Sequence, residues 1–387
     1  MVDMKEKIFD EVDSLYDEYV KVWEDVCNIE SPTAYKAGVD AVGGYFSDAA
    51  RARGWEVEYF RHNLSGDVVC ITMNPGAKGK PITLSGHMDT VHPLGLFGNP
   101  PVKIEGDKIY GPGVTDCKGG IVAGFLAMDA LDRCGYKERP LRLLLQSDEE
   151  GGSFASNKAT IGYICEKSAD SAAFLNLEAH ARGKICIARK GIVTLKFKIT
   201  GIEAHSSSCA TAGASAILEA AHKIIELEKL KDAAGLTCNC GVISGGSVPN
   251  TVPGYCEFKA NIRFATSEQL EWVREYAQKI ADTVYVKGCT CEIEQAGFRV
   301  AMEKKDVNIE LADKINAIFE KAGMSTLEKM SGTGGSDAAD VTVYGKVPCV
   351  DNLGTVGFRI HSPEEYGELE SLREMGKRLA AIIYYFE

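Results

Sequence analysis

No apolar run in this chain is long enough to cross a bilayer; the longest, such as residues 141–145, fall far short of the ~20 residues a span requires. Low-complexity tracts are absent too. Residues 1–25 are acidic and amphipathic, not the basic-then-apolar pattern of a secretory leader. Basic charge is in deficit: a net charge of -12 at pH 7 removes the cationic footprint that nucleic acid needs and offers nothing to an anionic membrane. Cysteine is plentiful but lacks order. The thirteen are odd in number and show no zinc-knuckle spacing. Cys238 and Cys240, like Cys289 and Cys291, share one strand face, and most others lie in apolar stretches, where Cys behaves as a small hydrophobe. Free thiols at this density suit a reducing cytoplasm, which is the expected location.

What is present is an ordinary globular composition, 45% hydrophobic and 25% charged over 387 residues. That length exceeds what one core comfortably serves, so two domains are expected. Residues 5–28 read as an amphipathic helix ended by Ser31-Pro32. Extended runs at 67–73 and 81–86, a helical stretch at 119–132, and apolar runs of strand length at 141–147 and 172–177 follow. The runs at 141–147 and 172–177 read as strands buried on both faces, and strands alternating with helices predict an α/β domain with a mainly parallel sheet.

The pattern changes near Lys190. Val193, Leu195, Phe197 and Ile199 alternate with polar residues, predicting a strand with one wet face. A helix follows, with Ala214, Ile217, Leu218, Ala221, Ile224 and Ile225 as its apolar stripe. Strands at 236–243 and 255–264, a helix at 267–286 and a strand at 290–294 complete a βαββαβ order. This is the ferredoxin-like arrangement. The expected division is 1–189 and 302–387 for the larger domain, with 190–301 inserted; helices at 307–322 and 363–384 return the chain to the first domain.

Chemistry-bearing residues gather at the ends of the buried strands, where α/β sheets place their sites. His87 ends one run, and Asp89 is placed to accept its second ring N–H; a satisfied loop histidine is the alternative. Asp116 sits between glycines, in Gly113-Val114-Thr115-Asp116-Cys117-Lys118-Gly119-Gly120, as a ligand or as a helix N-cap. Asp148-Glu149-Glu150 ends a strongly apolar strand, an acidic cluster that favours a cation over a solvated turn. Glu178 ends another, and His361 precedes the last expected helix.

The ordered set His-x-Asp, Asp-x-Lys-Gly-Gly, Glu-Glu-Gly, Glu and His resembles that of the di-zinc aminoacylases and carboxypeptidases. Glutamate carboxypeptidase, acetylornithine deacetylase and succinyl-diaminopimelate desuccinylase belong to that family. The resemblance spans essentially the whole chain. It implies a zinc-peptidase-like catalytic domain and an inserted lid and dimerisation domain, with two zinc ions per chain. His87 and Glu178 would hold one ion, Glu150 and His361 the other, and Asp116 would bridge them. Glu149 would be the general base, Asp89 would support His87, and the peptide after Asp116 would often be cis. Cys117 stands where the family more often has Met, Asp or Asn. Zinc suits this N/O donor set, and cobalt or manganese are alternatives.

At the substrate end the resemblance implies that His205, in Glu203-Ala204-His205, donates to the reacting carbonyl oxygen, commonly across a homodimer interface. Arg263, on the wet face of its strand with Lys259 and Asn261, has the fork that fits a carboxylate. With Asn250 it is the expected clamp for the substrate's α-carboxylate, a solvated arginine being the alternative. Gly334 and Gly335 belong to a loop resembling the family's Gly-Gly-Ser/Thr-Asp segment; a phosphate cradle is the rival reading, but no Walker-type lysine follows. Lys184 resembles a basic residue near an acidic substrate side chain, though Arg182, Arg189 and Lys190 compete for that role.

The expected activity is metal-dependent cleavage of an amide bond beside a free α-carboxylate, releasing glutamate or a similar residue from a small peptide. Deacylation of an N-acyl amino acid is the alternative with the same chemistry. A catalytically dead scaffold is disfavoured by the intact ligand set and Glu149. RNA binding is disfavoured by the lack of an aromatic-basic strand pattern in the insert.

Overall fold

A computed structural model describes residues 4–231 and 235–387; residues 1–3 and 232–234, which fall inside the expected ranges 1–189 and 190–301, lie outside the described residues. The chain divides into two compact units. One comprises Met1–Ala188, Lys304–Gly332 and Ser336–Glu387, the other Arg189–Glu303 and Thr333–Gly335.

The first unit is built on a six-stranded sheet in the order Glu56–Phe60, Val68–Met73, Leu141–Gln146, Ile82–His87, Ala173–Asn176, Cys349–Val350. Val68–Met73 runs antiparallel to its neighbours, and the last four strands are mutually parallel. Every residue of Ile82–His87 and of Ala173–Asn176 is buried, as two-sided apolar strands require. Parallel register decides where the site lies. His87 pairs with Gln146 and Ser85 with Asn176, so the three strands end within two residues of one another and the residues just beyond them, Asp148 to Glu150 and Glu178, emerge along one edge.

The Lys118–Arg133 helix covers one face of this sheet. Gly120 permits the approach, since a Cβ there would meet the carbonyl oxygen of Leu177 at 1.9 Å. Met4–Asn28 packs on that helix through Ile8, Val12, Leu15, Tyr19, Trp23 and Val26, a stripe of helical period. Tyr19 donates to Asp129 at 2.7 Å and the Trp23 indole to the Val114 carbonyl at 2.9 Å. The final helix is Leu369–Tyr385, not 363–384. Residues Tyr366–Glu368 instead pair with Lys108–Tyr110 in a small four-stranded antiparallel sheet.

The second unit has its own core. Its four antiparallel strands lie in the order Thr237–Gly245, Tyr255–Phe264, Gly191–Thr200, Thr290–Arg299, with helices Ala216–Leu227 and Ser267–Asp282 packed on them. This is the ferredoxin-like βαββαβ order. The expected stripe on its first helix is wrong, however. Ile217, Leu218 and Ile225 are 40%, 50% and 59% exposed, whereas Ala216, Glu219, Ala220, Lys223 and Leu227 are buried. A polar pair explains the rotation. Lys223 Nζ lies 2.9 Å from Glu219 and donates to the carbonyls of Ile280, Ala281 and Thr283, the C-terminal end of the second helix. Glu219 accepts from the amides of Tyr285 and Val286. With both charges satisfied by otherwise orphaned backbone groups, the pair can be buried, and the helix ends at Asp282 rather than 286.

Candidate functional site

Five of the expected ligands meet at the C-terminal edge of the large sheet. Asp116 Oδ1 lies 3.0 Å from His87 Nε2, and its Oδ2 lies 3.2 Å from His361 Nε2. One carboxylate thus faces both imidazoles, each through a different oxygen. Glu178 reaches to 3.8 Å of His87 Nε2 and Glu150 to 3.1 Å of His361 Nε2. Each histidine therefore has one private carboxylate and a share of Asp116. His87, Asp116 and Glu150 form one group whose ligand atoms lie within 4.8 Å of one another, as do His87, Cys117 and Glu178. The Asp116-Cys117 peptide is cis.

Asp89 serves differently from expectation. His87 Nδ1 is 2.9 Å from the Asp89 carbonyl oxygen and 3.4 Å from its carboxylate, so the backbone is the nearer partner. The Asp89 carboxylate accepts instead from the amides of Glu149 and Glu150, at 3.1 and 3.2 Å, and from the Thr33 hydroxyl at 2.7 Å. It holds the acidic turn while its main chain orients His87. Glu149 is buried, close enough to raise the carboxyl pKa of both Glu150 and Glu178.

Electrostatics reflect crowding. Burial, then Asp116, lifts the Glu178 carboxyl well above its ordinary range, and burial pushes Glu150 up to about 7. Burial raises Asp116 too, but hydrogen bonds from His361 and His87 outweigh it and hold Asp116 low. Asp116 and Glu150 raise His361 to about 10. Three buried or nearly buried carboxylates around two imidazoles form an N/O donor set that fits a pair of divalent cations.

Three supporting residues escaped the sequence reading. Glu365 is buried, and its carboxylate accepts from the amides of Thr115 at 2.9 Å, Asp116 at 3.1 Å and Gly113 at 3.3 Å. His92 Nε2 sits 2.8 Å from the same carboxylate. Glu365 thereby ties the loop carrying Asp116 to the one carrying His361. Thr33 is the third. None carries a periodic or spacing signal: an acid in His361-Ser362-Pro363-Glu364-Glu365 looks solvated until the backbone donors are seen. Cys117 is wholly buried, accepts from the His87 amide at 3.4 Å and donates to the Leu177 carbonyl at 3.3 Å. Its thiol links the two strand ends that bear His87 and Glu178.

Lys184 belongs to the first unit, half-exposed, 3.9 Å from Glu328. His205, Asn250, Arg263, Gly334 and Gly335 belong to the second. There, the Ala204–His205 strand pairs with Thr251–Val252, and the Ser206 amide donates to the Asn250 carbonyl at 2.9 Å. Arg263 donates to the Thr333 carbonyl at 2.8 Å. A Cβ on Gly335 would meet the Arg299 side chain at 2.7 Å, and one on Gly334 would lie 3.6 Å from Arg189. Three arginines thus border the Thr333–Gly335 segment; the sequence reading had named Arg263 as the carboxylate clamp and Arg189 only as a competitor of Lys184, and had not singled out Arg299.

The sequence pattern of Peptidase family M20/M25/M40 matches residues 83–385. The chain is 28% identical over 362 residues to carboxypeptidase G2 of Pseudomonas sp. (strain RS-16), covering 91% of this chain and 85% of that one. It is 28% identical over 319 residues to a probable succinyl-diaminopimelate desuccinylase of Staphylococcus aureus (strain MRSA252), covering 69% and 76%. Among solved structures, a tripeptidase from Staphylococcus aureus superposes with a TM-score of 0.80 at 21% identity, over 95% of this chain and 97% of that one. The mainly parallel catalytic sheet, the ferredoxin-like insert and the match over most of the chain lead to one conclusion: this protein belongs to Peptidase family M20/M25/M40, and is a hydrolase of the peptidase and amidohydrolase class.

Proposed function

We propose that the chain is a di-zinc carboxypeptidase that cleaves an amide bond beside a free α-carboxylate, with an acidic residue such as glutamate on the leaving side. The observation that carries this is Asp116 standing between His87 and His361, one oxygen towards each, with Glu178 and Glu150 flanking. His87 and Glu178 would hold one ion, Glu150 and His361 the other, and Asp116 both. When bound, the ions would polarise the scissile carbonyl and make water more acidic.

The protein's own residues supply the remainder. Glu149 takes the proton from the attacking water and passes it to the departing amine. Asp89 and Thr33 hold the turn that presents it. His205 Nδ1 accepts from the Ser207 amide at 3.2 Å and lies 2.8 Å from the Ser207 hydroxyl, an arrangement that favours the proton on Nε2. That N–H is the candidate partner for the reacting carbonyl oxygen. Arg263 and Asn250 take the α-carboxylate. Arg299 and Arg189 lie beside the same glycine segment.

We further infer a homodimer through the inserted unit. The exposed Ile217, Leu218 and Ile225 lie on the helix packed beside the edge strand Thr237–Gly245, itself exposing Val242 and Ile243. An apolar helix face next to an unpaired strand edge is the kind of surface a second copy covers.

The test is a substrate panel on zinc-loaded protein: N-acyl-glutamates, neutral dipeptides, N-acetylornithine and N-succinyl-diaminopimelate. Fastest release of glutamate is expected. The similarity to a desuccinylase favours deacylation as the second reading, and turnover of the acylated diamino acids alone would establish it over the first.

A further inference from the structure

A cleft of about 560 Å³ opens on the first unit, with Arg359, two residues from His361, in its wall; its volume is within the size range of small-molecule sites. Its chemistry is cationic and aromatic. Lys103 Nζ lies 5.0 Å from the Tyr110 ring centroid and Lys108 Nζ 4.5 Å from that of Tyr366, and the two rings are 5.5 Å apart. Arg359 lines the same cleft. Lys103 is 3.1 Å from Glu105, and Arg359 pairs with Glu364, both in exposed geometry that a ligand can replace. Lys108 makes no ion pair with a described residue. In a chain of net charge -12, a cleft with surplus positive charge runs against the general field.

Both walls are joined to the metal ligands. Arg359 and His361 lie in one turn with φ of 59° and 63°, left-handed values that side-chain-bearing residues rarely adopt. That turn sends Arg359 into the cleft and His361 to Asp116 and Glu150. On the other wall Phe97 packs edge-on against His92 at 4.9 Å, and His92 holds Glu365, which fixes the Asp116 amide. Strain retained in such a turn points to function. The proposed function assigns the α-carboxylate of the leaving residue to Arg263 and Asn250 and gives the acyl side no partner.

We propose that this cleft receives the acyl side of the substrate and selects a carboxylate there; the inference rests on the hydrolase reading above. Fixed cations over tyrosine rings attract an anion while the rings pack against its carbon skeleton.

The experiment measures binding without requiring turnover. Metal-loaded full-length Glu149→Gln protein is titrated calorimetrically with a matched pair of N-blocked dipeptides ending in glutamate, one with aspartate and one with asparagine on the acyl side. The aspartyl ligand should bind about 3- to 10-fold more tightly at low salt, the gap closing at high ionic strength. Lys103→Ala with Lys108→Ala should bring the affinity ratio towards one, and Lys108→Glu should invert it. An unaltered ratio in these variants, or equal affinities in the parent, overturns the proposal. Hydrolysis of both peptides by the parent with no affinity difference condemns the cleft alone. A preserved preference without any hydrolysis condemns the reaction assignment and leaves the cleft standing.

Discussion

Glu149 and Glu150 are neighbours in sequence and buried alike, yet the geometry divides their labour. Glu150 faces His361 at 3.1 Å, while Glu149 is the proposed general base. Glu149→Gln should therefore keep two metal ions per chain and lose about 10²- to 10⁴-fold in turnover. Metal analysis alongside kcat checks this, and loss of an ion would make Glu149 a ligand instead. Cys117 offers a second residue-level test. Its thiol accepts from the His87 amide and donates to the Leu177 carbonyl, one residue before Glu178. Cys117→Ala removes both links, and the affinity of the His87–Glu178 position should fall by about 10-fold, the effect expected of a ligand-orienting group. Cys117→Ser, which keeps a donor and an acceptor, should recover most of it. Competition against a chelator reads both variants; equal affinity in Cys117→Ala and the parent would leave the thiol as packing alone.

At the scale of elements, the buried Lys223–Glu219 pair determines which face of the Ala216–Leu227 helix turns inward. Lys223→Met leaves Glu219 buried without its partner and frees three carbonyls, a loss of about 3–5 kcal/mol. Adding Glu219→Gln should restore part of that stability, and urea unfolding of both proteins measures it. This was also where the sequence misled: Ile217, Leu218 and Ile225 carry the hydrophobic signal and stay exposed, because hydropathy weighs side chains singly and does not see backbone acceptors on another helix. By contrast, the run at 141–147 was legible as a buried strand, since Leu141, Leu143, Leu144 and Leu145 supply both faces with apolar side chains. In the first unit, Asp129 joins three helices, accepting from Tyr19 at 2.7 Å and from Arg53 at 2.6 Å, with Arg133 at 3.1 Å. Burial raises its pKa, but the hydrogen bonds from Arg53 and Tyr19 prevail and lower it from 3.8. A carboxyl depressed on folding stabilises above its unfolded pKa, and that stabilisation is lost as pH falls through the folded value. The stability difference between the parent and Asp129→Asn should accordingly shrink as pH drops from about 5 to about 3. A pH-independent difference would show that packing, not charge, gives Asp129 its role.

For the molecule as a whole, the residues that cluster were ones the sequence singled out: His87, Glu150 and Glu178 stand at or just beyond buried strands and Asp116 in a glycine-flanked loop, whereas His361 was named through the family resemblance. The parallel register then does what sequence cannot state: it ends three strands within two residues of one another, so that residues far apart in the chain face one another. Glu365, Thr33 and Arg299 were illegible for the converse reason, since their neighbours are backbone amides, the Asp89 carboxylate and Gly335, brought to them by tertiary structure. No helix among the described residues is long and apolar enough to cross a membrane. Whether the two imidazoles and three carboxylates hold a pair of ions is read most directly by anomalous diffraction at the zinc edge from crystals of the zinc-loaded protein. Two peaks about 3.5–4 Å apart are expected, one beside His87 and Glu178, one beside Glu150 and His361, with Asp116 touching both. A single peak, or zinc bound away from these side chains, would contradict the proposed hydrolysis.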